Sequence, residues 1–268
     1  MGNFGDRMKE YERIEVGREF LPLLPVCARL DGKAFSQFTK GLKRPYDQGM
    51  VDLMVGTAIY LVQETQAQLG YTQSDEINLV WYSQDYKSQI FFNRRIQKMV
   101  SVLASMATAY FNGHIPEFLP EKQGRLALFD CRCWQVPTLA EAANTFLWRE
   151  LDATKNSISA AARCYYSHKA LQKKKGFEMQ EMLWEKGVNW NDYPAFFKRG
   201  TSIQKQKVYR KFSQDGIQKL PKNHQARTNP ELEVERSVFR QLGMPPFSKV
   251  KNRVEVVFSG AEHILEEA

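Results

Sequence analysis

Asp31 is followed directly by Gly32, and Asp75 stands between Ser74 and Glu76. Two carboxylates that a fold brings together can share a pair of divalent cations. Such an arrangement suits phosphoryl transfer, because one ion activates the attacking oxygen while the other steadies the leaving pyrophosphate. An Asp-Gly pair is equally an ordinary turn, and Ser-Asp-Glu an ordinary hairpin tip. Beyond Asp31 run Gly32, Lys33, Ala34, Phe35 and Ser36, where the glycine lets the backbone turn so that successive amide N–H groups can face a triphosphate. The segment lacks the Walker spacing, and a plain strand-to-helix connection reads the same way. Arg94, Arg95 and Lys98 crowd the first turns of a helix, where the macrodipole disfavours cations; they mark either a nearby anion or a solvated basic face. Asp152 and Asn156 share a face of an Ala-rich helix at i, i+4, as part of a polar site or of a structural hydrogen-bond network.

The elements that must position these residues follow from periodicity. Residues 21–30 read as a short buried strand that ends at Asp31-Gly32. Met50, Leu53, Met54, Thr57, Leu61 and Thr65 mark one face of a helix from Gln48 to Leu69, stopped by Gly70. Tyr71 to Tyr82 reads as a hairpin with Ser74-Asp75-Glu76 at its turn, and Asn93 to Phe111 as a second amphipathic helix. Gln123–Val136 is a further strand halted by Pro137, with Cys131 and Cys133 on one face of it. Thr138–Tyr166 is a long helix whose Thr138 and Glu141 have capping-box spacing. Strand, helix, hairpin, helix, strand, helix is the order of an α+β fold with a ferredoxin-like, polymerase-palm antiparallel sheet and helices on one face. The expected organisation is a palm-like catalytic unit over residues 1–166 and a C-terminal extension over 167–268 that completes the site and contacts RNA.

The chain has 268 residues, of which 43% are hydrophobic and 25% charged, enough to bury a full core. Its 38 Lys and Arg against 30 Asp and Glu give a net charge of +8, which favours a polyanionic partner or a nucleotide substrate. No apolar run approaches the roughly 20 residues of a membrane span, the N-terminal residues are charged, and the expected compartment is the cytoplasm with no membrane partner. Four cysteines lack zinc-site spacing and read as reduced thiols.

Taken in order, several blocks resemble one family. Arg29-Leu30-Asp31-Gly32-Lys33-Ala34-Phe35-Ser36-Gln37-Phe38 and Tyr71-Thr72-Gln73-Ser74-Asp75-Glu76 look like the two signature motifs of tRNA(His) guanylyltransferases. Phe92-Asn93-Arg94-Arg95 through Lys98, Trp148-Arg149, Asp152 through Asn156, and Lys198-Arg199-Gly200-Thr201 resemble further family blocks. The resemblance implies two Mg2+ ions held by Asp31, the Gly32 carbonyl and Asp75, with Asp31 and Asp75 catalytic. It implies a nucleotide cradled by Gly32, Lys33, Ala34, Phe35 and Ser36 beside Ser74. Arg44, before Pro45, stands where relatives carry a Lys-Pro phosphate contact, and Arg95, Lys98 and Asn156 match the site that activates the RNA 5′ end. The implied substrates are tRNA, GTP and ATP; the implied assembly is a homotetramer. The implied reaction activates a tRNA 5′-monophosphate and then adds a nucleotide in the 3′-to-5′ direction. Where eukaryotic relatives carry His-Ile-Asn-Asn this chain has Thr154-Lys155-Asn156-Ser157, which resembles the guanylyltransferase-like branch associated with templated 5′-end repair rather than untemplated guanosine addition. Palm folds also host nucleotide cyclases and 5′-to-3′ polymerases, and a non-enzymatic RNA-binding module is the remaining reading.

Overall fold

The computed structural model describes residues 3–229 and 231–266. Residues 1, 2, 230, 267 and 268, which fall in both of the expected units, lie outside the described residues. In chain order the elements are α1 (Phe4–Val16), β1 (Val26–Gly32), α2 (Phe35–Phe38), α3 (Gln48–Thr65), β2 (Leu69–Gln73), β3 (Glu76–Trp81), α4 (Ile96–Phe118), β4 (Phe129–Gln135) and α5 (Leu139–Ala162). They continue with α6 (His168–Leu171), α7 (Gly176–Glu185), α8 (Ala195–Arg199), β5 (Thr201–Lys211), α9 (Gln214–Gln218), β6 (Glu233–Gln241) and α10 (Arg253–Ser259).

The strands form one six-stranded sheet of order β4-β1-β3-β2-β5-β6. Every neighbouring pair is antiparallel. The first four strands with α3 and α4 make the β-α-β-β-α-β unit expected from the sequence. On one face, Val26, Ala28, Leu30, Ile77, Leu79 and Trp81 pack against Leu53, Leu61, Leu103 and Phe111 of α3 and α4. The single helical layer expected from the sequence is corrected by the other face. There Cys27, Leu69, Tyr71 and Val80 pack on Ala142, Ala143 and Phe146 of α5 and on Val256 and Val257 of α10. The reason is visible in β3, which is buried at every residue: a central strand buried on both sides needs cover on both.

Local chemistry sets the ends of the helices. Asp47 caps α3 by accepting from the Met50 amide at 3.1 Å, and α3 stops at Thr65 because Gln66 takes a left-handed conformation with φ 53°. The expected run to Leu69 therefore ends a turn early, and Gly70 is a strand residue rather than a stop. A Cβ there would meet Val62 Cγ2 at 2.4 Å, so the glycine lets α3 and β2 approach closely. α4 begins at Ile96 rather than Asn93, since Phe92, Asn93 and Arg94 all have positive φ. Thr138 caps α5 as the sequence anticipates, accepting from the Glu141 amide at 3.1 Å.

β5 joins β2 only through Thr201–Ile203; from there to Lys211 it pairs with β6 alone, as a ribbon projecting past the sheet. No helix among the described residues is long and apolar enough to cross a membrane.

Candidate active site

β1 carries Asp31 to the end of a central strand, where it lies opposite Glu76 of β3 and Asp130 of β4. The β2–β3 turn bends at Ser74, φ 55°, and the Gly32 amide donates to the Asp75 carbonyl at 3.1 Å. One backbone hydrogen bond thus ties the two acidic motifs together. Both carboxyls are pushed above the usual carboxylate range. For Asp31 the causes are burial, then the charges of Glu76 and Asp130, partly offset by Arg132 and Arg29. For Asp75 burial again leads, reduced by the Ser74 hydroxyl that donates to its Oδ1 at 3.0 Å, with the Asp31 and Glu76 charges adding. Two acids crowded in this way favour a cation between them.

Glu76 is not available to such a cation. Arg149 grips both its oxygens, Nε to Oε1 and Nη2 to Oε2 at 2.7 Å each, and Asn78 donates to Oε1 at 2.6 Å. Arg149 Nη2 also donates to Asp152 Oδ2 at 3.0 Å, and Asn156 donates to the same oxygen at 3.2 Å. The polar face of α5 is therefore a continuous network that leads from the β3 terminus to Asn156. The hard oxygen donors left at the strand ends are Asp31, Asp75 and the Gly32 carbonyl. Among the described residues no group of three or more His, Cys, Asp or Glu side chains is arranged around a common point.

The acidic pair opens into a cavity of about 690 Å³, and Asp31, Phe35, Ser36, Arg44, Ser74, Asp75 and Asn156 all line it. Lys33 and Ala34 belong to the adjoining turn, whose use as a cradle is narrower than expected. The Gly32 and Lys33 amides already donate to the Asp75 and Leu128 carbonyls, at 3.1 and 2.8 Å, which leaves the amides of Ala34, Phe35 and Ser36 to face an anion. Gly32 is needed for a different reason: a Cβ on it would stand 2.3 Å from the Phe35 ring, itself packed among Phe38, Phe111 and Phe129. Gly32→Ala is expected to destabilise the chain by about 1–3 kcal/mol through overpacking and to displace this turn; a denaturant midpoint matching wild type would contradict that packing.

Arg95 and Lys98 are not brought to the pair. They open α4 beside Phe91, which stacks on Trp81 at the opposite end of β3. The 23 residues of α4 then run for about 35 Å before Phe118 reaches the neighbourhood of Gly49. Lys98 lies over the Phe92 ring at 5.6 Å, and Arg95 donates to the Phe92 carbonyl at 3.3 Å.

Arg163, Tyr46, Phe196 and Phe197 also line the cavity, and sequence reasoning missed them. Arg163, the residue that caps the C-terminus of α5, stands seven residues after Asn156, so helical spacing from Asn156 could have found it. Tyr46 meets the Phe196 and Phe197 rings at 5.1 and 5.2 Å. That wall is held by long-range bonds with no sequence signature: Tyr71 Oη donates to the Arg199 carbonyl at 2.8 Å and the Trp190 indole to Ser157 Oγ at 3.2 Å.

The chain is similar to known proteins over the same elements. The family model for tRNAHis guanylyltransferase matches residues 5–137. A bacterial tRNA(His) guanylyltransferase-like protein solved in complex with ATP superposes with a TM-score of 0.71 and is 42% identical, over 75% of this chain and 88% of that one. A second bacterial structure, in complex with GTP, has a TM-score of 0.69 and 34% identity over 91% of this chain and 94% of that one, so the likeness extends well past residue 137. The tRNA(His) guanylyltransferase of Saccharomyces cerevisiae is 28% identical over 73% of this chain and 87% of its own length. With the signature acidic motifs joined at one sheet end and the likeness spanning both halves, the chain belongs to the tRNA(His) guanylyltransferase family.

Proposed function

We propose that the chain is a nucleotidyltransferase that adds nucleotides to the 5′ end of tRNA in the 3′-to-5′ direction, with GTP and ATP as substrates. The observation that carries this reading is the convergence of Asp31 and Asp75 at the mouth of a cavity of about 690 Å³ edged by Arg44 and Arg163. Such a volume suits a nucleotide-sized ligand. In the first step an oxygen of the tRNA 5′-monophosphate attacks the α-phosphorus of ATP, forming a P–O–P bond and releasing pyrophosphate. In the second, the 3′-hydroxyl of the incoming triphosphate attacks the activated 5′-phosphorus and AMP leaves.

The hard oxygen donor set of Asp31, Asp75 and the Gly32 carbonyl, with two carboxyls crowded by like charge, fits two Mg2+ ions. Bound there, the ions would supply Lewis acidity to the reacting phosphate. Arg44, Arg163 and Asn156 bind phosphate oxygens along the cavity, with the Ala34–Ser36 amides beside Asp31. The Tyr46 and Phe196 rings bound the end of the cavity where a base would sit. Residues 1–166 thus contribute the acidic pair, and 167–268 complete the cavity through Phe196, Phe197 and Thr201 and contact tRNA along the projecting ribbon. Arg95 and Lys98 reach an active centre only from a neighbouring copy, an arrangement that the homotetramer supplies. The free cysteines accord with a reducing, cytoplasmic setting.

Arg44→Ala and Arg163→Ala should each raise the KM for the triphosphate about tenfold or more, since a hydrogen bond to a charged group contributes roughly 1.5–3 kcal/mol. Both side chains are exposed, so melting temperatures should hardly move. An unchanged KM in both variants would remove them from the phosphate path.

The reading extends to templated repair. Thr154 stands where eukaryotic relatives carry His, and the two bacterial guanylyltransferase-like structures are more similar to this chain than the yeast enzyme is, which supports the same branch. The test is product analysis on 5′-truncated tRNA with the facing base varied through all four identities. Incorporation should follow the facing base; guanosine added whatever that base is would return the chain to untemplated addition. A cyclic or 3′-extended product would overturn the assignment altogether.

A further inference from the structure

On the α5 side of the sheet, side chains of β1 alternate, so Cys27, Arg29 and Asp31 share one face. Register sets Arg29 between Arg132 of β4 and Asn78 of β3, one rung behind the row Asp130, Asp31 and Glu76. α5 covers the β3 side of this face, where Arg149 holds Glu76, but leaves the β4 edge open, with Asp130 and Arg132 exposed. In the open corner stands Trp148, 53% exposed although its helix neighbours Arg149 and Glu150 are buried. The Arg149 and Arg29 guanidinium groups lie 4.6 and 5.7 Å from its ring.

Two of the three guanidinium groups in this corner are held in ion pairs. Arg149 is matched by Glu76 and Asp152, and Arg132 by Asp130 at 3.1 Å. Arg29 has no ion pair among the described residues; its buried Nε and the buried Oδ1 of Asn78, its cross-strand neighbour, both lack a hydrogen-bond partner. Setting Arg29 directly across from Arg132 adds like-charge repulsion. A guanidinium without an ion pair, beside an exposed indole, is the pairing that receives a backbone phosphate and a stacked base of single-stranded nucleic acid. The cavity assigned to the triphosphate includes none of Arg29, Arg132 and Trp148, although it shares Asp31 with this corner. Asp31 therefore has a nucleotide-sized space on one side and a corner carrying Arg29 and the exposed Trp148 on the other.

We propose that this corner docks the 5′-terminal nucleotides of the acceptor RNA, with the first internal phosphodiester on Arg29 and a terminal base on Trp148. Arg29 lies two residues behind Asp31, about 6.6 Å along the strand, a separation of the order of one nucleotide step. The proposal rests on the 5′-end reading above and adds the site that presents the acceptor.

The test is a binding cycle on the full chain without added triphosphate, which makes it independent of turnover. The probe is 5′-monophosphorylated tRNA with either a normal or an uncharged methylphosphonate first internal linkage. Wild type should bind the methylphosphonate RNA about tenfold more weakly, whereas Arg29→Met should bind both RNAs equally and weakly. Losses that multiply instead of coinciding would overturn the contact and leave Arg29 a structural neighbour of Asn78. Should Arg29→Met fail to fold, the exposed Trp148 carries the test alone. RNA should quench tryptophan emission in wild type, lose that quenching component in Trp148→Phe, and bind Trp148→Ala about tenfold more weakly, with GTP affinity unchanged. Unaltered quenching in Trp148→Phe with unaltered affinity in Trp148→Ala would sink the proposal. A coupled cycle in a chain that incorporates no nucleotide would overturn the proposed function and spare the docking corner; the reverse pattern would do the opposite.

Discussion

Asp31→Asn and Asp75→Asn are each expected to lower the rate of nucleotide incorporation by about a thousandfold or more, because charge stabilisation at a reacting phosphate is lost with the ligand. The same substitutions should not weaken the metal-free fold. Both carboxyls are raised by burial and by acidic neighbours. A group raised in the folded state contributes stability that is fully present below the unfolded pKa and is lost as pH rises through the folded value. At neutral pH the metal-free chain therefore holds two charges at a cost, which an uncharged Asn avoids. In EDTA at pH 7.5 the variants should melt no lower than wild type, and any advantage should shrink towards pH 4. Adding Mg2+ should raise the wild-type melting temperature and leave an Asp31→Asn/Asp75→Asn double variant unmoved. Near-normal turnover by either single variant would defeat the assignment. Variants melting several degrees lower in EDTA would make these carboxylates structural.

How much of this was legible before the fold depended on how local the determinant was. The buried run before Asp31-Gly32 and the hairpin at Ser74-Asp75 are written in adjacent residues, so Asp31 at a strand end and Asp75 at a turn could be read directly, although the strand spans Val26–Gly32 rather than residues 21–30. The strand and helix order then fixed the β-α-β-β-α-β unit, and with it the pairing of the two motifs. The end of α3 was misread because Gly70 resembles a helix stop, whereas its use is the close approach of Val62 across the packed layers. The second helical layer was missed because burial on both faces of β3 is a property of the assembled sheet. Arg95 and Lys98 show the limit most clearly. They stand at the start of a helix, as read, though it begins at Ile96; a helix that starts at one end of a sheet delivers its first turn far from the strand ends at the other. The ribbon of β5 and β6 was not anticipated either: its mostly exposed residues, Lys-rich and Gln-rich in β5 and mainly Glu and Arg in β6, lack the sustained apolar alternation that marks a strand.

Arg149→Met should be the most destabilising of the single changes considered, by about 3–5 kcal/mol, because it leaves Glu76 charged and desolvated. The pair is 8% and 10% exposed at the two side chains, with both Glu76 oxygens taken up by one guanidinium. Of the other groups on Glu76, Asn78 offers one amide hydrogen bond and no charge. Asp152 and Asn156 would lose their anchor at the same time, since Arg149 joins them to the β3 terminus. Because a domain is stable by only about 5–15 kcal/mol, the variant should be near the threshold of unfolding at ambient temperature. Removing the partner charge as well should recover most of the loss: in Arg149→Met/Glu76→Gln the buried site is neutral, and the Gln carbonyl still accepts from Asn78. Urea unfolding of wild type, both single variants and the double variant would give the coupling directly. A coupling below about 1 kcal/mol would show a pair no stronger than an exposed one, contrary to its burial. Recovery of stability in the double variant without recovery of nucleotide incorporation would separate two roles of Arg149. It would show that, besides neutralising Glu76, the guanidinium orients the Asp152 and Asn156 arm of the cavity.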